Sequence, residues 1–119
     1  MATASEIRDR AANDLGLLRL GQSLQSQDST RITDGYTEVY AKLKKDGLAT
    51  WASTAEVPDE LVPHVVAMVA RNCLLTYPAS PERYQRIMLA AGPEDATALR
   101  EIRRLSVPDF ISQDEATDY

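Results

Sequence analysis

The chain has 119 residues, 44% hydrophobic and 26% charged, the size and composition of one ordinary globular domain. Its formal net charge of -5 argues against a classical phosphate-gripping surface, which carries a basic excess. A chain this long buries roughly two thirds of its unfolded surface and needs no metal or disulfide to fold.

One cysteine, Cys73, excludes an intrachain disulfide and points to a reducing, cytosolic origin. The polar N-terminus reads as a helix start rather than a signal peptide, and no apolar run approaches the ~18–20 residues of a membrane helix. Aromatic residues make up only 6%, and β-branched residues do not alternate. Ala, Leu, Arg and Glu dominate, so the composition favours helices.

The first helix is predicted over Ala4 to Leu15. Thr3 and Glu6 have the spacing of a capping box, Ile7, Ala11, Leu15 and Leu18 recur at helical period, and Gly16 is a left-handed stop. The polar stretch Gly21 to Ser29 reads as a loop. Asp28 or Ser29 then caps a second helix over Thr30 to Asp46, with Ile32, Tyr36, Val39, Tyr40 and Leu43 as its apolar stripe. Lys42, Lys44 and Lys45 complement the dipole of its last turns, and Gly47 closes it.

Leu48 to Val57 is a connector that holds the only tryptophan, Trp51, and admits two short extended pieces. At the spacing of Tyr36, Tyr40 and Trp51, core packing is the commoner outcome than an aromatic binding surface. A third helix is predicted over Asp59 to Tyr77, with Pro58 and Pro63 near its start. It is apolar on more than one face, as a central helix is. After the break Pro78-Ala79-Ser80-Pro81, Ser80 caps a fourth helix carrying Tyr84, Ile87, Met88 and Ala91. Gly92-Pro93 breaks the chain again before a segment from Pro93 to Leu105 with Ala96, Leu99, Ile102 and Leu105. The last two segments are either two helices or one kinked helix. The expected fold is all-α: a bundle of four to five helices over residues 1–105.

Residues 106–119 change texture. They hold four acids and no base, whereas the other 105 residues hold 13 bases and 14 acids. Val107, Phe110, Ile111 and Tyr119 are dispersed among those acids, and Pro108 discourages helix continuation. The segment reads as an acidic arm that is disordered or ordered by a partner.

No catalytic site is legible. His64 is the sole histidine, and Cys73 lies nine residues on, about two and a half turns, so the pair points in roughly opposite directions. There is no nucleophile elbow and no glycine-rich phosphate loop. The acid pairs Asp59-Glu60 and Glu94-Asp95 fall at predicted helix N-termini, where the dipole accounts for them. No cofactor, metal or enzymatic activity is expected. Arg100, Arg103 and Arg104 share one side of the last helix. They form either a solvated face paired with Glu101 or a charge patch facing a neighbouring subunit. A helix-turn-helix at Tyr77–Pro81 has two prolines, lacks a glycine turn, and offers only Arg83, Gln85 and Arg86 as base readers. A small helical DNA-binding regulator is therefore the alternative reading.

The order of elements resembles the small head–tail connector (adaptor) proteins of tailed bacteriophages over about residues 4–105. The residues that carry the likeness are Leu15-Gly16, the loop at Gly21, and Tyr36-x-x-x-Tyr40-x-x-Leu43 ending in Asp46-Gly47-Leu48. Trp51, Val57-Pro58, Ala70-Arg71, Tyr84 and Ala98-Leu99-Arg100-Glu101-Ile102-Arg103 follow in order. The resemblance implies a structural virion protein in the neck between capsid and tail, present in the host cytoplasm during assembly. It implies a homo-oligomeric ring of about twelve copies beneath the portal protein, closed by head-to-tail contacts between neighbouring copies. The ring would extend the DNA channel, pass DNA without sequence preference, and receive the next tail or head-completion protein. The implied docking arm is Arg100 to Tyr119. Its expected contacts to the portal or an adjacent subunit are Arg100, Arg103, Arg104, Val107, Phe110, Ile111 and Tyr119. No membrane takes part.

Overall fold

A computed structural model describes residues 1–17 and 24–106. It is all-α. Five helices follow one another: α1 (Ala4–Leu15), α2 (Ser26–Lys45), α3 (Val62–Cys73), α4 (Pro81–Ala91) and α5 (Ala96–Ser106), with a 3₁₀ turn at Pro93–Asp95 before α5. The expected arm, with Val107, Phe110, Ile111 and Tyr119, lies outside the described residues, as does Leu18.

α1 has the expected bounds and caps. Thr3 and Glu6 form the reciprocal capping box. At the other end Leu17 N–H donates to the Ala12 carbonyl and Gly16 N–H to that of Asn13, the paired bonds of a Schellman stop. Gly16 sits at φ +82°, a conformation that costs an L-residue about 1–2 kcal/mol. α2 closes in the same manner, through Leu48 to Leu43 and Gly47 to Lys44.

Three expectations need correction. α2 starts at Ser26, not Thr30, so Asp28 and Ser29 lie inside its first turn rather than capping it; Gln25 occupies the cap position without a side-chain bond. Tertiary bonds hold this extra turn. Tyr77 donates its hydroxyl to Asp28 at 2.7 Å, and Arg8 Nη1 donates to Ser29 Oγ at 3.0 Å. α3 is shorter than expected, Val62–Cys73 instead of Asp59–Tyr77. The Leu61 and Val62 N–H groups close turns onto Pro58 and Asp59, while Thr76 and Tyr77 both donate to the Cys73 carbonyl and end the helix. The connector forms no strand pair of its own; its one extended contact is an isolated antiparallel bridge between Val57 and Ala2.

α3 is the centre of the bundle and packs against α1, α2, α4 and α5. Val62, Val65, Val66, Ala67, Met68, Val69, Ala70 and Cys73 are all buried along it. The other helices present one stripe each: Ile7, Ala11 and Leu15 from α1, Ile32, Tyr36, Val39 and Leu43 from α2, Ile87 and Ala91 from α4, and Ala98 and Ile102 from α5. Each fully buried Val, Leu, Ile or Met contributes about 1.5–3 kcal/mol of transfer free energy. The α2–α3 crossing is close because Gly35 carries no Cβ. One placed there would meet Asn72 Oδ1 at 3.0 Å and Cys73 Sγ at 3.1 Å.

The aromatic trio belongs to the core, as its spacing suggests. Trp51 Nε1 donates to the Tyr36 hydroxyl at 3.1 Å, and the Tyr40 hydroxyl donates to the Trp51 carbonyl at 2.8 Å. Burial pushes the Tyr36 phenol up from its ordinary value, and the bond from Trp51 partly offsets this. Cys73 is a buried thiol whose pKa is raised chiefly by desolvation.

α4 and α5 are two helices rather than one kinked one. Gly92 stands between them at φ +78°, and a Cβ there would lie 2.2 Å from Thr97 Oγ1. Among the described residues no helix is long and apolar enough to cross a membrane.

Candidate interaction surface

Apart from Met1 at the N-terminus, the large exposed apolar side chains of the described residues gather on one side, where the end of α3 meets α4. Leu75 is 98% exposed, Leu89 79% and Tyr84 50%. Tyr84 and Met88 border two adjoining grooves. One, of ≈ 400 Å³, is completed by Gln85, Leu89 and Pro93; the other, of ≈ 450 Å³, by Arg71, Asn72, Leu74 and Leu75. Shared walls make the two a single surface. Its lining includes one cation, Arg71, and no carboxylate. Isolated exposed leucines are ordinary on protein surfaces, whereas a contiguous apolar groove marks a contact site.

Local structure explains why these side chains stay outside. On α4, Ile87 and Ala91 are one turn apart and face the core; Leu89, two residues beyond Ile87, points to the opposite side. Leu75 follows the last turn of α3, in the segment whose Thr76 and Tyr77 amides turn back onto Cys73. α4 itself is anchored at its start. Ser80 caps it, and Arg83 Nη1 donates to the Asn13 carbonyl at 2.8 Å, covering the negative end of the α1 dipole. Asp14 lies beside this contact. Burial raises its pKa, with Arg86 and Arg83 pulling it partly back.

Beside the groove stands a junction that the sequence did not reveal. Glu94 and Asp95 both have left-handed backbones, φ 52° and 63°. Asp95 immediately precedes α5, as the sequence suggests, but it is also buried. Lys42 Nζ donates to its Oδ2 at 3.4 Å, and Arg71 Nη1 lies 3.4 Å from its Oδ1. Arg71 Nε and Asp95 Oδ1 have no hydrogen-bond partner among the described residues. Lys42 therefore does more than complement the α2 dipole: it ties α2 to the turn before α5. A second, largely exposed polar network joins α2 to α3 and the turn after it. Arg31 donates to Thr76 and to Asn72, and Asn72 donates to Glu38 at 2.8 Å.

Arg100, Arg103 and Arg104 all fall on the exposed side of α5, as their spacing predicts. Arg104 pairs with Glu101 at 2.8 Å. That bond, first of all, holds the Glu101 carboxyl below its ordinary range, and His64 across the helix pair adds to it. His64 is half-buried on α3. Among the described residues no group of three or more His, Cys, Asp or Glu could hold a metal ion. A further open cleft, ≈ 510 Å³, lies between α1 and α3 and is lined by Asp9, Arg10, Asn13, Asp14, Pro63 and Val66.

The structure thus keeps the three arginines together but places the apolar groove elsewhere, at residues the sequence reading assigned to helix stripes or passed over. The available signal was Leu89, apolar yet out of phase with Ile87 and Ala91. No family model matches the chain, and comparison with curated proteins and with solved structures returns no match.

Proposed function

We propose that the chain is a structural assembly subunit, one that works by docking to other proteins. Within that class the particular reading is a head–tail adaptor of a tailed phage. It sits as a ring beneath the portal protein in the virion neck, extends the DNA channel, and receives the next tail or head-completion protein.

The observation that carries the assembly reading is the apolar groove of Leu75, Tyr84, Met88 and Leu89, left open by a body whose core is otherwise closed. The order of helices and punctuating residues, from Leu15-Gly16 to Ile102-Arg103, supports the adaptor in particular. The acidic segment 106–119 suits it as well: polar enough to stay soluble, yet holding apolar side chains to bury against a partner. An acidic balance also lets DNA pass without sticking.

The test is to mix the full chain with a tailed-phage portal ring and to separate the products by size. A stoichiometric ring complex is expected, and removing residues 106–119 should weaken it. No complex at micromolar protein rejects the adaptor reading, and equal binding by the shortened chain rejects the role of the arm. A second reading, a small DNA-binding regulator, draws on the exposed guanidinium side of α5. It requires a salt-dependent shift of duplex DNA at nanomolar protein, and absence of binding at low salt removes it.

A further inference from the structure

We infer that α5 and the turn Pro93–Asp95 before it act as a hinged strap, which opens as one unit from a body of α1–α4 that stays folded. The inference concerns this chain alone and holds whatever partner the apolar groove takes. Three observations converge on it.

The first is the hinge. Gly92 (φ 78°), Glu94 (52°) and Asp95 (63°) put three of the four residues between α4 and α5 in left-handed backbone. Glycine accepts this freely, whereas glutamate and aspartate are strained by it. Such strain persists only where the surrounding structure enforces it. When the strap opens, both residues return to ordinary backbone, so the strain favours opening.

The second is the latch. One carboxylate enforces the turn: Asp95 lies 3.4 Å from Lys42 Nζ and 3.4 Å from Arg71 Nη1. Both contacts are long for a charge-assisted bond, whose usual span is ~2.7–2.9 Å. Arg71 Nε and Asp95 Oδ1, shut away from solvent, have no hydrogen-bond partner among the described residues. The closed strap thus leaves a donor and an acceptor unsatisfied, and opening gives both to water. Pro93 and Arg71 also line the two halves of the groove, so latch and contact surface share residues.

The third is how little else holds α5. Its buried side chains are Ala98 and Ile102, with Leu99 and Leu105 partly covered against α3 and α4. Among the described residues its one side-chain bond, Arg104 to Glu101, stays within the helix. The other helices are cross-tied: α1 to α2 through Arg8 and Ser29, α1 to α4 through Arg83, and α2 to α3 through Arg31 and Asn72. α5 is therefore the element that leaves with the least broken. Opening uncovers Ile102 and the faces of α3 and α4 beneath it, and it moves Pro93 out of the groove wall. A docking partner then meets a larger apolar site than the closed form presents.

The experiment is native-state hydrogen exchange of the full chain in graded urea, read amide by amide by NMR. The amides of Arg100 to Leu105 should share one opening, about tenfold or more frequent than that of Val66 to Ala70 on α3. It should also depend less steeply on urea, because less surface is exposed. Gly35→Val, which wedges the α2–α3 crossing, should speed the α3 amides and leave those of α5 at their rate, since closed and open strap both contain that crossing. Asp95→Ala should speed the α5 amides about tenfold or more, because Arg71 loses its carboxylate. One rate and slope shared by α5 and α3 overturns the inference. So does a rate graded from fast at Leu105 to α3-like at Arg100, which is fraying from the C-terminal end of the helix. An α5 that follows Gly35→Val or ignores Asp95→Ala overturns it as well. Neither portal nor DNA enters the assay, so its failure and that of the portal complex are read separately.

Discussion

Replacing Asp95 separates two physical terms that the structure superimposes at one residue. Its carboxylate sits between Lys42 and Arg71, and its backbone is held at φ 63°. In Asp95→Ala, Lys42, whose side chain is 43% exposed, turns to water at little cost, at most ~0.5 kcal/mol. Arg71 is 29% exposed and its Nε is shut away from solvent, so its unpaired guanidinium costs about 1–2 kcal/mol. Alanine also tolerates the left-handed region less well than aspartate, by up to ~1 kcal/mol. The expected loss is about 2–3 kcal/mol, a fall in Tm of roughly 10–15 °C for a domain of this size. Asp95→Gly removes the same charge but relaxes the backbone and should lose about 1 kcal/mol less. Urea unfolding followed by Trp51 fluorescence measures all of this, and in an Arg71→Met background the Asp95→Ala effect should shrink. Equal losses for Ala and Gly would refute the strain argument. A loss below ~0.5 kcal/mol in every variant would show that the cluster holds nothing together.

Gly16→Ala should destabilise by about 1–2 kcal/mol in the same assay, because the left-handed stop of α1 is lost and the new Cβ crowds Arg83 at 3.1 Å. Gly35→Val should cost about 1–3 kcal/mol by wedging α2 from Asn72 and Cys73 on α3, readable as a lower urea midpoint. Tyr77 predicts an alkaline effect. Desolvation, and next its bond to Asp28, raise the phenol from 10 to about 12. The folded state thus holds its proton more tightly than the unfolded chain. The associated stability is complete below pH 10 and is lost as pH rises through 10 towards 12. Thermal unfolding at steps across that interval should show the slope in the native chain and a smaller one in Tyr77→Phe.

Much of the helix order was legible because local signals govern it. Thr3–Glu6, Gly16, Ser80–Pro81 and Gly92 set the ends of α1, the start of α4 and the gap before α5 where sequence chemistry puts them. What escaped depends on partners distant in the chain. Gln25 to Ser29 look like a loop by composition, yet Ser26 to Ser29 are helical, with Asp28 and Ser29 held by Tyr77 and Arg8. Glu94-Asp95 looked like a dipole-favoured helix start. It does lie directly before α5, but its left-handed backbone and the pairing of Asp95 with Lys42 and Arg71 are encoded by no local pattern. The groove was hidden for a related reason: apolar residues announce themselves in a sequence, but which remain uncovered is decided by how helices cross.

The central place of α3 also bears on how the molecule is made. During synthesis α1 and α2 leave the ribosome first, with stripes at Ile7, Ala11, Ile32 and Leu43 shaped largely for a helix still to come. Until Val62–Cys73 emerges, those stripes can share only each other, and the nascent chain is open to capture by chaperones or by other unfinished copies. Once it arrives, docking of both earlier helices and recruitment of both later ones proceed around a common axis. Slowing translation after α2 has left the ribosome and before Val62–Cys73 follows it should therefore lengthen an aggregation-prone interval.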